Sequence, residues 1–198
     1  MHVAVICEYS GVVRDAFIRQ GHDAISFDLL PSESDFGDHV TGDIMDLSLS
    51  FWERFDLAIC HPPCTHLAVS GAAWFYRKQQ EQADALDFVR YLMQLPIKRI
   101  AIENPVSVIS SKIRKPDQII QPYQFGHMEQ KKTCLWLTNL PTLIETENVY
   151  EPMMLLPKNQ RERNHYMPPS PDRWKERSRT YQGIAEAMAI QWGELERG

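Results

Sequence analysis

The sequence predicts an α/β fold, a doubly wound and mostly parallel sheet in a single domain. Apolar strand-like runs alternate with helix-periodic runs from residue 2 onward, the order that βαβ units produce. The strand-like runs close on polar residues: Glu8-Tyr9-Ser10-Gly11, then Asp28, then His61 to Cys64, then Glu103-Asn104. The length of 198 residues, 43% of them hydrophobic, suits one domain with a full core and no staples.

Residues 2–7, HVAVIC, are a short run rich in Val and Ile, and EYSG turns the chain. VVRDAFIRQG then sets Val12, Val13, Ala16 and Phe17 at helical spacing, with Gly21 as the stop. AISFDLL is the second strand, ending near Asp28 and broken by Pro31. Residues 32–42 are polar and loop-like, and GDIMDL reads as a short turn or strand. DLAIC (56–60) is a buried-type strand running into HPPC. Residues 76–94 read as a helix with Ala83, Leu86, Val89 and Leu92 on one face, and RIAIENP and TCLWL (133–137) as further strands. Residues 139–177 hold six of the 13 prolines and little periodicity; 178–195 read as a last amphipathic helix. Right-handed crossovers place every strand's C-terminal end on one edge of the sheet, which is where such sheets bind ligands.

Composition removes several classes. Charged residues are 24% and the net charge is −5, ordinary globular values that exclude disorder, collagen, coiled coil and a small basic nucleic-acid binder. Four cysteines are too few for a disulfide framework. The chain starts on a strand-like run with no basic, apolar leader, and no apolar stretch approaches 18 residues. The expectation is a cytoplasmic protein with free thiols and no membrane span. One tract departs from the whole. Residues 158–179 carry seven cations against three anions, with Tyr166 and Trp174 interleaved. That pattern suits a nucleic-acid backbone with bases nearby; it also suits a solvated loop.

Cys64 follows two prolines directly after a buried-type strand. The prolines fix the backbone direction, so the thiol is held at the rim, as a nucleophile needs. An inert thiol is the alternative, as is a metal site from Cys60, His61, Cys64 and His66. Glu103, at a strand exit, can hold a heterocycle edge or act as an acid; it or Asn104 can equally cap the next turn, with Pro105 following. Asp28 stands where an acidic residue grips ribose hydroxyls, Asp43 can read an adenine amino group, and Gly11 permits close approach at the first turn. Positions 11–14 are GVVR, not a GxGxxG. That disfavours NAD and FAD and favours a ligand such as S-adenosylmethionine.

In order along the chain, EYSGVVRDAF, SFDLL, GDI, HPPC, ENP, the QKK of 130–132 and TYQGIAEAMA resemble the motifs of cytosine-5 DNA methyltransferases, most of all short phage-type members. The resemblance covers about residues 2–137 and 178–194. It implies a Rossmann-like, S-adenosylmethionine-dependent methyltransferase fold acting on DNA. Cys64 would add to C6 of cytosine and Glu103 would hold the N3 and amino edge, with Pro63, Asn104, Gln130, Lys131 and Lys132 at the base. Tyr9, Ser10, Gly11, Asp28 and Asp43 would line the cofactor, and the GIAEAM helix would close over it. Arg173, Lys175, Arg177 and Arg179 would contact the nucleic acid. The sequence departs from the family at Val13 and Arg14, where further glycines are usual, and at Lys131 and Lys132, where alternate arginines are usual. The target-recognition region is reduced to about residues 138–177, so specificity should be short or loose at about 1–3 kcal/mol per bidentate base contact. The same chemistry on single-stranded nucleic acid or a pyrimidine nucleotide, and a non-catalytic DNA binder, are the other readings.

Overall fold

The computed structural model describes residues 1–69 and 78–196. Positions 76 and 77, the expected start of the first long helix, lie outside the described residues. Seven strands form one sheet: β1 (His2–Ile6), β2 (Asp23–Asp28), β3 (His39–Thr41), β4 (Leu57–Cys60), β5 (Arg99–Pro105), β6 (Gln118–Ile120) and β7 (Thr133–Thr138), in the order β3-β2-β1-β4-β5-β7-β6. The first five are parallel, and β7 runs antiparallel to both β5 and β6.

Strand alternation sorts the core into two layers. Val3, Val5, Leu57, Ile59, Ala101 and Leu135 face one side. Ala4, Ile6, Ala58, Cys60, Ile100, Ile102, Cys134 and Trp136 face the other. Helices α1 (Val12–Arg19) and α9 (Gln182–Gly193) cover the first face. Short α2 (Leu49–Trp52), α3 (Gln79–Met93) and short α4 (Ile109–Lys112) cover the second, through Trp52, Leu86, Val89, Leu92 and Ile109. Both faces of the sheet are thus buried, which is why its strands read as near-continuous apolar runs.

One expectation changes and three are sharpened. The strand at 133–137 exists, but it is reversed, so its start rather than its end reaches the rim. GDIMDL forms a 3-10 turn over Ile44–Asp46, with Asp43 as its cap. Residues 139–177, read only as proline-rich with little periodicity, hold short helices α5 (Tyr150–Met154), α6 (Lys158–Arg161), α7 (Arg163–Tyr166) and α8 (Arg173–Ser178). The GIAEAM helix is a core element. Ile184, Ala185, Ala187, Met188, Ala189 and Trp192 are all buried in the core of the first face, because a helix this apolar on most sides must be covered on most sides.

Candidate active site

The rim collects the turn after β1, the ends of β2 and β4, the far half of β5 and the chain entering β7. In the first turn, Cys7 has φ 61, and the chain doubles back so that Glu8 lies under α1. The Glu8 carboxylate accepts from the amides of Val13 (2.6 Å) and Arg14 (3.2 Å) and from the Ser10 hydroxyl (3.3 Å). These amides are the donors a phosphate would otherwise take. Glu8 thereby removes the anion site that a pyrophosphate needs. Burial raises its pKa, outweighing His61 and these hydrogen bonds.

Gly11, at φ +75, has its open side filled by the Arg14 guanidinium and Ser34; a Cβ there would lie 2.7 Å from Arg14 Nη2. The room expected for a ligand is therefore occupied by the protein's own side chains. Arg14 is fully buried, paired with Asp15 at 2.8 Å and bonded to Ser26 (3.0 Å) and the Ser34 carbonyl (3.1 Å). An arginine where the family pattern has glycine thus ties the 32–38 loop to α1. Ser10 donates to Glu8, so its hydroxyl serves the turn. Tyr9 is covered from outside: its ring lies 5.8 Å from Trp174, Lys175 stands over it at 6.0 Å, and its hydroxyl meets Ser178 at 3.3 Å.

Asp28 ends β2 half-buried, with Oδ1 accepting from Leu30 N at 2.9 Å. Burial outweighs that bond and raises its pKa. Asp43 caps its turn through Met45 N at 2.9 Å. The apolar side chains of Leu29 and Met45 stay 71% and 53% exposed just past these neighbouring strands. A carboxylate flanked by exposed apolar side chains at adjacent strand ends fits a ribose carrying an adenine.

The second half of the rim is tightly tied. β4 and β5 are neighbours, with Cys60 opposite Ile102, so the HPPC and ENP segments leave the sheet side by side. His61 Nδ1 and Glu103 Oε2 are 2.8 Å apart, and both side chains are about nine-tenths buried. Asn104 Nδ2 donates to the Pro62 carbonyl at 2.8 Å, which holds the proline pair in place; Pro63 itself is exposed. His61 Nε2, Asn104 Oδ1, Ser107 Oγ and His66 Nδ1 are buried without hydrogen-bond partners among the described residues. Burial opposes charge on His61, but Glu103 and then Glu8 outweigh it and raise its pKa. Burial would raise Glu103; the His61 bond and charge, with Lys131, hold it below the usual carboxylate value. Cys64 is half-buried, and its carbonyl caps the next turn through Leu67 N and Ala68 N. Burial pushes its thiol up, Lys131 and Arg177 pull it down, and Glu103 adds to the rise.

Lys131 comes to this group because β7 is reversed. Its Nζ donates to the Arg177 carbonyl at 2.8 Å and lies 5.7 Å from the Tyr181 ring. It acts electrostatically on His61, Cys64 and Glu103 alike. Lys132 is exposed and acts on Cys134 instead, since neighbouring residues point to opposite sides of an extended chain. Gln130 is half-buried, its amide given to the Arg161 carbonyl at 2.6 Å.

The basic tract lies across the opening. Arg179 pairs with Glu33, whose amide is bound to the Tyr9 carbonyl. Arg177 is exposed and Lys175 half-buried; Arg173 Nε is buried without a partner. The sequence placed Glu8 and His61 at strand ends and Trp174 in the basic tract, but did not reveal the Glu8 cap on α1, the His61–Glu103 pair or the packing of Trp174 on Tyr9. A signal existed for His61: two adjoining buried strands that end together must set their first polar residues side by side. Among the described residues no three His, Cys, Asp or Glu side chains converge as metal ligands; Cys60 is in the core and His61 is engaged by Glu103. No described helix is long and apolar enough to cross a membrane.

No family model matches the chain, and no curated protein does. Among solved structures, the chain is similar to one named as a candidate DNA modification methyltransferase encoded within an E. coli prophage. The TM-score is 0.51 at 15% identity, over 80% of this chain and 56% of that one. The chain thus spans about half the length of that protein. The likeness is one of fold: a seven-stranded, mostly parallel methyltransferase-type Rossmann-like sheet.

Proposed function

We propose that this protein is an S-adenosylmethionine-dependent DNA methyltransferase that methylates C5 of cytosine through a Cys64 adduct. The observation that carries the reading is the pairing of a half-buried thiol on the β4 exit with a buried carboxylate on the β5 exit, with Lys131 beside both. Conjugate addition to a pyrimidine needs a nucleophile on one ring face and a proton-handling group in the ring plane. The Leu29, Met45 and Asp28 cradle fits the adenosine of the methyl donor, held with Tyr9 and Asp43 nearby. Bound there, S-adenosylmethionine supplies the electrophilic methyl that C5 takes.

The chain's own residues do the rest. Burial keeps Cys64 a thiol and Lys131 and Arg177 offset part of that effect; the S–H proton passes to solvent as Sγ forms its bond to C6. The C5=C6 electron pair moves toward C4 and N3, and N3 receives a proton at the Glu103 edge. Asn104 holds the Pro62 carbonyl, and so fixes the thiol's approach. After methylation, solvent removes the C5 proton, the C6–S bond breaks, and Cys64 leaves as thiolate while N3 returns its proton. A duplex substrate must first extrude the base, at a cost of a few kcal/mol. Exposed Arg177 and half-buried Lys175 stand where the backbone of such a strand would run.

The test incubates the protein with labelled methyl donor and, separately, duplex DNA, single-stranded DNA and dCMP. Label in duplex DNA is expected. Label confined to single strands or dCMP moves the substrate, and no label with retention of DNA makes the protein a binder. The C64S variant should lose activity and fail to trap 5-fluorocytosine DNA; a fully active C64S protein overturns the nucleophile.

A further inference from the structure

His61 belongs to the catalytic machinery as well as to the structure. It follows β4 directly, and its ring is wedged between two buried carboxylates. Nδ1 is hydrogen-bonded to Glu103 at 2.8 Å, and Glu8 acts on it from the turn after β1. Nε2 has no hydrogen-bond partner among the described residues. Lys131, entering β7, opposes its positive charge, and Asp28 at the end of β2 favours it. Glu103 and then Glu8 favour the protonated imidazole and outweigh its burial. A carboxylate bonded to it is ionised, and so has no proton of its own to give to a base.

That creates a requirement in the proposed reaction. Addition at C6 builds negative charge at N3, and an ionised Glu103 would repel it. We infer that His61 is the proton reservoir of the site, lending a proton to Glu103 as Cys64 adds to C6 and taking it back when the adduct collapses. This rests on the cytosine-5 reading above. In the forward step the His61 Nδ1–H bond breaks and a Glu103 O–H bond forms; that bond then breaks as N3–H forms. Expulsion of Cys64 runs the same transfers in reverse, so the proton is borrowed and no other donor is consumed. Glu8, where ionised, adds to the pull of Glu103 on the His61 proton. His61 reaches N3 only through Glu103, and is a positioning and proton-supplying residue.

The experiment compares wild type with H61Q, whose amide can still donate a hydrogen bond to Glu103 but carries no transferable proton. Proton transfer by a positioned group contributes roughly 10²–10⁴-fold. We expect kcat to fall roughly 100-fold, KM for DNA to change less than about twofold, and the alkaline limb of the pH–rate profile, where His61 loses its proton, to move. A kcat within twofold of wild type, with an unmoved limb, overturns the inference while leaving Cys64 trapping intact. If wild type does not trap 5-fluorocytosine DNA at all, the underlying reading fails, and this inference with it. Should H61Q not fold, the His61 imidazole is titrated by NMR in wild type and in E103Q. A value above 6.5 that drops in E103Q supports the reservoir, and a wild-type value below 6.5 overturns it.

Discussion

At the residue scale, the His61–Glu103 pair makes stability depend on pH in a direction that can be worked out. Glu103 has a folded pKa below its ordinary 4.5, so its contribution is present above that value and is lost as pH falls through the folded one. His61 has a folded pKa above its ordinary 6.5, so its contribution is full below that value and is lost as pH rises through the folded one. Both are complete only between 4.5 and 6.5. The stability of wild type relative to H61Q/E103Q, which keeps the shape and hydrogen bond without the charges, should therefore be greatest in that window and shrink on either side. Removing one partner alone should cost more, on the order of 3–5 kcal/mol, because it strands a buried charge. Chemical denaturation at pH 5.5 and 8.5 reads the difference. An unchanged offset between the two would show that His61 does not change its charge state on folding.

At the element scale, α9 is the most constrained piece. Gly183 sits at its start, where an added Cβ would lie 2.0 Å from the Phe125 carbonyl oxygen. The obstacle is backbone, and Gly183 N is also bonded to His127 at 2.9 Å, so the helix cannot slide away. G183A should lose about 2–3 kcal/mol, a fall of roughly 4–12 °C in Tm for a chain of this size; an unaltered Tm would mean the helix is not seated as described. The same element shows what the sequence could carry. That a helix lies within 178–195 was legible from its spacing, though it begins only at Gln182 and ends at Gly193. That it is core was harder to read, because alanines satisfy an amphipathic pattern and an all-round apolar one alike. The reversal of β7 was not legible either, since TCLWL carries no mark of direction. Yet it decides that Lys131 reaches Cys64 while Lys132 does not. Helices α5 to α8 run four to six residues each, too short for a periodicity to show. The strand ends were the legible part of the site. Glu8 was not, because its role as a cap depends on a doubling-back at Cys7 that composition does not announce.

At the scale of the whole molecule, the net charge of −5 conceals how the basic tract is used. Of its seven cations, Lys158, Arg163 and Arg179 face acidic partners in Glu162, Glu129 and Glu33, and Arg161 is bonded to the Met154 and Leu156 carbonyls. Arg173, Lys175 and Arg177 have no such ion pair among the described residues. They lie on α8, and Arg177 acts on Cys64. A phosphate that displaces counterions must meet a cation whose charge is not already spent on a carboxylate. The tract is therefore two populations: one is spent on groups within the 139–177 region and on Glu129 and Glu33 in neighbouring loops, and the other is left for a polyanion. R177Q should weaken binding to duplex DNA evenly across sequences and lower the slope of log affinity against log salt by about 1. R179Q should change that slope by less than half as much, because it removes a cation that Glu33 already neutralises. Fluorescence anisotropy over a salt series separates the two. Equal slope changes would place the backbone along the Glu33 side of the opening, over Tyr9, and would make the β1 turn part of the nucleic-acid path.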